Sequence, residues 1–195
     1  MDSRLTQQLA FLDEIERLKV VYRRNRTLDR SRQENSAEHS WHVAMFALVL
    51  AEHGSAPDLD LFKVIRMLLI HDLVEVHAGD TWIYDGAAVS GQARTEEAAA
   101  AKLFGMLPAD QATEFMSLWL EFEQRESAEA KFAASLDSLQ PLSNHLLSGD
   151  PHDEGPRPGA LEVMDKKRHI AASSEKLWEA AQELIRESAV RGLYR

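Results

Sequence analysis

The segment from Phe62 to Asp80, FKVIRMLLIHDLVEVHAGD, places several ionisable side chains inside an almost entirely apolar run. The apolar residues are too frequent for one amphipathic stripe, so the segment predicts a helix buried over most of its circumference. Burying His beside Asp costs several kcal/mol unless a partner compensates, and a metal ion is the usual partner when acceptors outnumber donors. The segment therefore favours a helical core built around a polar centre, supplied by His71, Asp72, Glu75, His77 and Asp80.

Helical spacing of apolar residues recurs along most of the chain of 195 residues. It predicts helices over 4–22, 95–106 and 110–124, a long helix after Ser127 that carries Asp137, and two more over about 160–171 and 174–190. Asn35 and Glu38 form the pattern of a capping box, which opens a helix that ends at Gly54. No segment has a convincing strand pattern, so the predicted class is all-α. We expect a single domain over residues 1–195, with a core over about 12–150.

Composition excludes several kinds of site. The chain has no cysteine, so disulfides, thiolate nucleophiles and zinc–thiolate sites are ruled out, and any metal must be bound by nitrogen and oxygen. The N-terminal residues lack the pattern of a secretion signal, and the longest clean apolar run, Val43 to Ala51, is far too short to span a membrane. We expect a soluble cytoplasmic protein without a membrane partner.

Charge is distributed unevenly. The formal net charge is −10, which disfavours binding to a nucleic-acid polymer. Between Arg17 and Arg32, however, seven basic residues stand against one acid, Asp29, so this segment carries +6 and the rest of the chain −16. A local cationic cluster on an acidic protein favours a small anionic ligand. For any single arginine of the cluster, the alternative is a solvated position at a helix end or loop.

The acids and imidazoles have a spacing that suits a metal site. On a helix, Glu75 shares the face of His71 and Asp72 one turn further on, and Asp80 follows Gly79, where the chain turns back. Adding His39 and Asp137 gives two imidazoles and four carboxylates. Two His and two Asp complete a mononuclear site that leaves coordination positions for water and substrate. The alternative is a set of unrelated polar residues satisfied by hydrogen bonds at helix ends.

The motifs AEHS, HDLVE followed by GD, and ASLD occur in an order that resembles the HD-domain metal-dependent phosphohydrolases. Within them, the chain is similar to the small branch that includes the 5'-deoxynucleotidases, over roughly Leu12 to Asp150. The resemblance implies an all-α, largely orthogonal helix bundle with one divalent cation, which Mn, Co, Mg, Ni, Fe or Zn could provide. The implied metal ligands are His39, His71, Asp72 and Asp137. Glu75 and Asp80 match the acids that activate the attacking water and assist the leaving group.

The resemblance also indicates where a phosphate would bind. In the deoxynucleotidase branch an Arg-Trp pair precedes the first metal-binding His, and counting back from His39 without a gap places Arg24 and Asn25 at these positions. The Trp is missing, so either a contact to the base or sugar is lost or Arg23 and Arg26 rearrange the pocket. The predicted substrate-binding residues are Arg24, Arg26 and Arg32.

The leading hypothesis is hydrolysis of a small phosphomonoester, a deoxyribonucleoside 5'-monophosphate, to nucleoside and phosphate. One alternative is a phosphohydrolase acting on another substrate, such as a cyclic nucleotide or a nucleoside polyphosphate. A second is a metal-binding regulatory module that has lost catalysis. The family implies a homodimer, which exposed apolar residues on the N-terminal helices could form.

Overall fold

A computed structural model of the protein describes residues 2–82, 84, 91–153 and 156–195. Helices dominate these residues, so the predicted all-α class is confirmed. The α-helices are α1 (Ser3–Ile15), α2 (Ser36–Leu50), α3 (Leu61–Ile70), α4 (Glu75–Ala78), α5 (Gln92–Phe104), α6 (Ala109–Gln124), α7 (Ala128–Ser148), α8 (Ala160–Lys166) and α9 (Glu175–Val190). Short 3-10 helices cover Glu16–Val20, Ala51–His53, His71–Val74 and Arg168–Ala172.

The long helix α7 is the centre of the fold. It packs against α2, α3, α6 and α9 and against the strand over Tyr22–Arg26. Phe132 and Leu136 on α7 are almost completely buried, and each contributes roughly 1.5–3 kcal/mol by leaving water. The helix begins after Ser127, which caps it by accepting from the Ala130 N–H, and it continues through Pro141. Asp137 is therefore held on a helix that is firmly packed in the core.

The segment that carries His71 and Asp72 is not the single continuous helix that the sequence predicts. Helix α3 ends at Ile70, a 3-10 turn covers His71–Val74, and α4 ends at Gly79, whose φ of 76° suits glycine. The His71 Nδ1 donates to the Leu68 carbonyl at 2.8 Å, and in a continuing α-helix that oxygen would accept from the Asp72 N–H. The competition favours a tighter turn, which presents His71 and Asp72 in succession.

A two-stranded antiparallel hairpin precedes α2, so the prediction of no strand was wrong. Strand β1 (Tyr22–Arg26) pairs with β2 (Gln33–Asn35), with Tyr22 opposite Asn35. The run is too short and too basic for a sequence pattern of alternating burial to be visible. Side chains alternate between the two faces of a strand, and Arg23 and Asn25 accordingly turn toward the protein.

The predicted capping box at the start of α2 is confirmed. Asn35 accepts from the Glu38 N–H at 2.9 Å, and the Glu38 carboxylate accepts from the Asn35 N–H at 3.1 Å. These bonds satisfy two groups at the helix end and fix the first turn of α2, where His39 lies. Among the described helices, none has the combination of length and apolar character that crossing a bilayer requires.

Candidate metal centre and substrate cavity

His39 projects from the first turn of α2 and is completely buried. Its Nε2 lies 2.9 Å from the Asp137 Oδ1, and its Nδ1 lies 2.9 Å from the Gln140 Oε1. The Gln140 amide group contacts Glu34 Oε1 and His42 Nδ1 with its nitrogen, each at 3.1 Å, so its oxygen faces His39. The amide oxygen can only accept, so His39 Nδ1 carries a proton and Nε2 is the ring nitrogen directed at Asp137.

His71 presents its ring in the same way from the 3-10 turn. Its Nδ1 donates to the Leu68 carbonyl, which leaves Nε2 as the ring nitrogen that faces the carboxylates and can bind a cation through its lone pair. This buried Nε2 lies 3.1 Å from Asp72 Oδ1 and 3.4 Å from Asp137 Oδ1, yet it forms no hydrogen bond with any residue in the described part of the chain. Lone pairs from two rings and two carboxylates therefore converge on one point.

This arrangement suits a divalent cation. Ligand atoms of His39, His71 and Asp72 all lie within 4.8 Å of one another, and Asp137 Oδ1 is in contact with both imidazoles. Atoms bound at about 2.1 Å to one ion are separated by roughly 3–3.5 Å, which is the range of most of these contacts. Four acceptors facing each other in a buried space require a positive charge between them.

The pKa values of the cluster are shifted because its carboxylates and imidazoles are buried in contact with one another. Burial would raise the pKa of the Asp137 carboxyl, but the two imidazoles outweigh burial and hold this pKa well below its usual range. Burial lowers the pKa of His71, but the charges of Asp72 and Asp137 outweigh it and raise the pKa to about 9. The carboxylates thus favour a positive charge at this point, which a proton supplies when no metal ion does.

Glu75 and Asp80 lie beside the cluster. The Ser36 hydroxyl donates to Glu75 Oε2 at 2.6 Å, and burial, together with the charge of Asp72, raises the pKa of Glu75 to about 9. Burial also raises the pKa of Asp80, which accepts a hydrogen bond from Glu75. Two neighbouring carboxyl groups with raised pKa values can hold and exchange a proton near neutral pH.

Arg23 is the arginine that reaches the acidic cluster. Its Nη1 donates to Asp72 Oδ2 at 2.9 Å and lies 3.7 Å from Asp80 Oδ1, and its side chain is 17% exposed. Glu34 is a further carboxylate neighbour at 3.9 Å. Arg23 thus compensates part of the negative charge and connects Asp72 to Asp80.

The cluster formed by His39, His71, Asp72 and Asp137 borders a cavity of about 670 Å³. Asp80 and Asp137 line it, and so do Arg24 and Arg26, two of the three predicted substrate-binding arginines. The guanidinium of Arg24 lies 4.1 Å from the ring centroid of Trp82, and Arg26 Nε lies 4.0 Å from Asp153. The third, Arg32, is outside the cavity and forms an exposed ion pair with Glu38 at 2.5 Å.

The residues that follow α4 supply aromatic side chains to this cavity. Trp82 and Tyr84 line it, with ring centroids 5.4 Å apart. Asn25 occupies the position where the Arg-Trp pair would have its Trp. Trp82 provides an aromatic surface in the cavity from a different part of the chain. Ile83 and residues 85–90 lie outside the described residues.

A second cavity, of about 370 Å³, opens on the metal cluster between α5 and α6. His71, Asp72 and Glu75 line it, and Asp137 lines both cavities. Glu75 is therefore accessible from the smaller cavity and Asp80 from the larger one. The cluster can be approached from two directions.

Three residues of the site were not predicted as site residues: Arg23, Gln140 and Lys167. Arg23 belongs to the basic cluster that the sequence shows, and recognition of a strand over Tyr22–Arg26 would have favoured it. Gln140 lies three residues after Asp137 on a helix, so the two share a face. Lys167 is far from every motif, and the sequence contains no signal that connects it to the site.

The similarities to known proteins agree with this geometry. Residues 15–178 match the HD domain family. The 5'-deoxynucleotidase HDDC2 of Homo sapiens is 30% identical over 131 residues, which are 67% of this chain and 61% of the human protein. The chain thus spans less than two thirds of the length of this relative. The protein of the same name in Danio rerio is 27% identical over 88% of this chain and 94% of its own length.

A solved structure covers the whole fold. The crystal structure of a predicted metal-dependent phosphohydrolase from Magnetospirillum magnetotacticum MS-1 matches with a TM-score of 0.88 and 42% identity, over 99% of each chain. The PH0347 protein of Pyrococcus horikoshii OT3, at 22% identity and a TM-score of 0.63, shares the fold. The family match, the buried cluster of His and Asp and the helical architecture lead to one conclusion: this chain belongs to the HD domain family.

Proposed function

We propose that this protein is a metal-dependent hydrolase of a small phosphomonoester, a deoxyribonucleoside 5'-monophosphate, which it converts to nucleoside and phosphate. The observation that carries the proposal is the convergence of two imidazoles and two carboxylates at the border of a cavity that also contains arginines. The cavity volume of about 670 Å³ lies within the range of small-molecule sites. The name of the HDDC2 relatives supports the choice of substrate.

We assign the metal-ligand role to His39, His71, Asp72 and Asp137, within a single HD domain over residues 1–195. A divalent cation held by them would lower the pKa of bound water toward about 7, polarise a phosphoryl oxygen and favour the ionised form of the nearby Glu75. The buried lone pairs described above support this assignment.

Glu75 and Asp80 handle the protons. Glu75 first passes the proton of its hydrogen bond to Asp80, which leaves Glu75 ionised and Asp80 protonated. As the water oxygen bonds to phosphorus, Glu75 takes the water proton, and as the ester P–O bond breaks, Asp80 gives its proton to the departing 5' oxygen. The products are the nucleoside hydroxyl and phosphate. Because Glu75 lines the smaller cavity and Asp80 the larger one, the two groups are placed for attack and departure on different sides. Their hydrogen bond offers a route for the proton to return.

Arg24 and Arg26 bind the substrate in the larger cavity. Trp82 stacks against Arg24 and presents an aromatic ring to a base or sugar. Arg32, the third predicted contact, has its charge compensated by Glu38 and does not line this cavity. We propose a homodimer, because Trp41, Leu48 and Val49 on α2 leave 63%, 52% and 67% of their surface exposed. The cytoplasmic location stays a prediction.

A nucleotide panel tests the proposal. Purified protein loaded with Mn, Co or Mg is incubated with deoxyribo- and ribonucleoside 5'-monophosphates, cyclic nucleotides and nucleoside polyphosphates, and released phosphate is measured. We expect the fastest release from deoxyribonucleoside 5'-monophosphates. Faster phosphate release from one of the other classes would change the proposed substrate and leave the proposed reaction, phosphate ester hydrolysis, in place. Absence of release from every compound, with bound metal verified, refutes the enzyme and favours the regulatory module.

A substitution separates an enzyme from a binding module. Glu75→Gln keeps the shape of the side chain but cannot take a proton from water, so turnover should fall by at least a hundredfold while metal content is unchanged. Glu123→Gln is a matched control, because Glu123 lines the same smaller cavity and has no place in the proposed proton transfer. Equal losses in the two variants would contradict the assigned role of Glu75.

A further inference from the structure

Lys167 brings a positive charge to the larger cavity from outside the motif elements. It follows α8 directly and precedes the 3-10 turn Arg168–Ala172, in the C-terminal part of the chain. Its Nζ donates to the Ser138 hydroxyl at 3.3 Å, and Ser138 is the residue after Asp137 on α7. The Ser138 hydroxyl also contacts His169 Nε2 at 3.1 Å, which holds it in place. The ammonium group therefore lies at the end of the cavity where the metal ligands are.

Other cations of this cavity have partners within the protein. Arg23 is paired with Asp72, Arg26 lies beside Asp153, and Arg157 donates to the carbonyls of Gly192 and Asp153. No carboxylate in the described ranges approaches the Lys167 Nζ within 4.0 Å, and its hydrogen bond is to a neutral hydroxyl, whereas Arg23 and Arg26 each have a carboxylate neighbour. Lys167 is half-buried, and an ammonium group that is partly withdrawn from water with no carboxylate in contact is unfavourable, so stability does not account for this lysine.

The surroundings of Lys167 favour an additional anion. Burial lowers its pKa to about 8, the charge of Asp137 opposes this effect, and the charges of Arg23, Arg125 and Lys166 add to it. A bound anion would compensate this excess of positive charge. Lysine carries a compact charge with three N–H donors, which suits the oxygen atoms of a phosphate.

We propose that Lys167 is a substrate-binding residue that contacts the phosphate group of the phosphomonoester in the larger cavity. The proposal rests on the proposed function. It adds a substrate-binding residue that lies outside the motifs AEHS, HDLVE, GD and ASLD. The Ser138 hydroxyl positions the ammonium group beside Asp137, so the phosphate is bound between the lysine and the metal cluster. Lys167 thereby contributes to the binding of the phosphate and does not contribute to the binding of the nucleoside.

The experiment compares phosphate binding in Lys167→Met with that in wild-type protein and in Lys166→Met. The neighbouring Lys166 does not line the cavity, and its ammonium group lies 5.4 Å from the ring centroid of Tyr84, which does. Lys166→Met therefore controls for the loss of a nearby charge that has no direct contact with the cavity. The metal-loaded proteins are titrated by calorimetry with inorganic phosphate and with a deoxynucleoside. The Glu75→Gln background allows titration with the corresponding 5'-monophosphate without turnover. Metal content and the melting temperature are measured for each variant.

We expect Lys167→Met to weaken the binding of phosphate and of the monophosphate at least tenfold, with metal content and nucleoside affinity unchanged. Lys166→Met should remain within twofold of wild type, and Lys167→Arg should recover part of the loss. Phosphate affinity within twofold of wild type in Lys167→Met overturns the proposal, as does a fall in kcat with unchanged KM. If the wild-type protein binds phosphate but hydrolyses no nucleotide, and Lys167→Met weakens the phosphate binding, the proposed function fails. The role of Lys167 in binding phosphate stands.

Discussion

Replacing Gln140 with methionine tests whether the orientation of His39 controls metal binding. The Gln140 side chain is completely buried, and its amide oxygen accepts from His39 Nδ1 at 2.9 Å. Its nitrogen contacts Glu34 and His42. Methionine fills a similar volume but accepts hydrogen bonds only weakly, so the ring loses the group that fixes its tautomer.

The expected magnitude follows from these contacts. A buried N–H left without an acceptor costs about 1–3 kcal/mol, and loss of a group that orients a metal-binding His reduces metal affinity about 10- to 100-fold. For a chain of this size, each kcal/mol corresponds to roughly 2–4 °C in the melting temperature. We therefore expect Gln140→Met to melt several degrees lower than wild type and to bind the divalent cation at least tenfold more weakly.

Two measurements and one control separate orientation from packing. Calorimetric titration of the metal-free protein gives the affinity, and ¹⁵N NMR of the His39 ring reports its tautomer. Leu139→Met is the matched control, because Leu139 is the preceding residue on α7, is 4% exposed and does not belong to the hydrogen-bond network around His39. Metal affinity in Gln140→Met equal to that of Leu139→Met, with the His39 tautomer unchanged, would refute the reasoning.

Two further predictions concern stability. Lys167→Met should increase the free energy of unfolding by about 1–3 kcal/mol at pH 7, because burial lowers the pKa of this lysine from 10.5 to about 8. The gain should be complete below pH 8 and disappear as the pH rises to about 10.5, and melting curves at pH 7 and pH 10.5 with an equal gain would contradict it. A divalent cation at about a hundred times its Kd should add about 2.7 kcal/mol, or roughly 5–10 °C, to wild type. Asp72→Asn should abolish most of this shift, and an equal shift in that variant would argue against the assigned ligand.

The elements that the sequence predicts well are those with strong local signals. Capping residues specify α2 and α7 at their starts, and apolar spacing of three and four specifies α6. The convergence of His39 with His71 could also be anticipated, because burial of so many polar groups requires a common partner. The resemblance to a family assigned His39 and Asp137 as ligands together with His71 and Asp72, although Asp137 is nearly a hundred residues from His39 and has no local signal of its own.

Tertiary contacts account for what the sequence did not predict. The hairpin over Tyr22–Arg26 is short and basic, and its pairing with Gln33–Asn35 depends on the start of α2. This pairing turns Arg23 toward Asp72, whereas an ungapped count from His39 selected Arg24. The break of the helix at Ile70 depends on the His71 ring, which competes for a backbone carbonyl. Lys167 enters the cavity only because the C-terminal helices pack on α7.

The order of the site residues along the chain has a consequence for synthesis. The side chains assigned to the cation lie between His39 and Asp137, whereas Arg157, Lys167 and Tyr194 complete the walls of the larger cavity. On the ribosome, the ion-binding group emerges first and the walls that distinguish one ester from another emerge later. We therefore expect the walls that distinguish one ester from another to be completed only when the C-terminal helices have packed on α7.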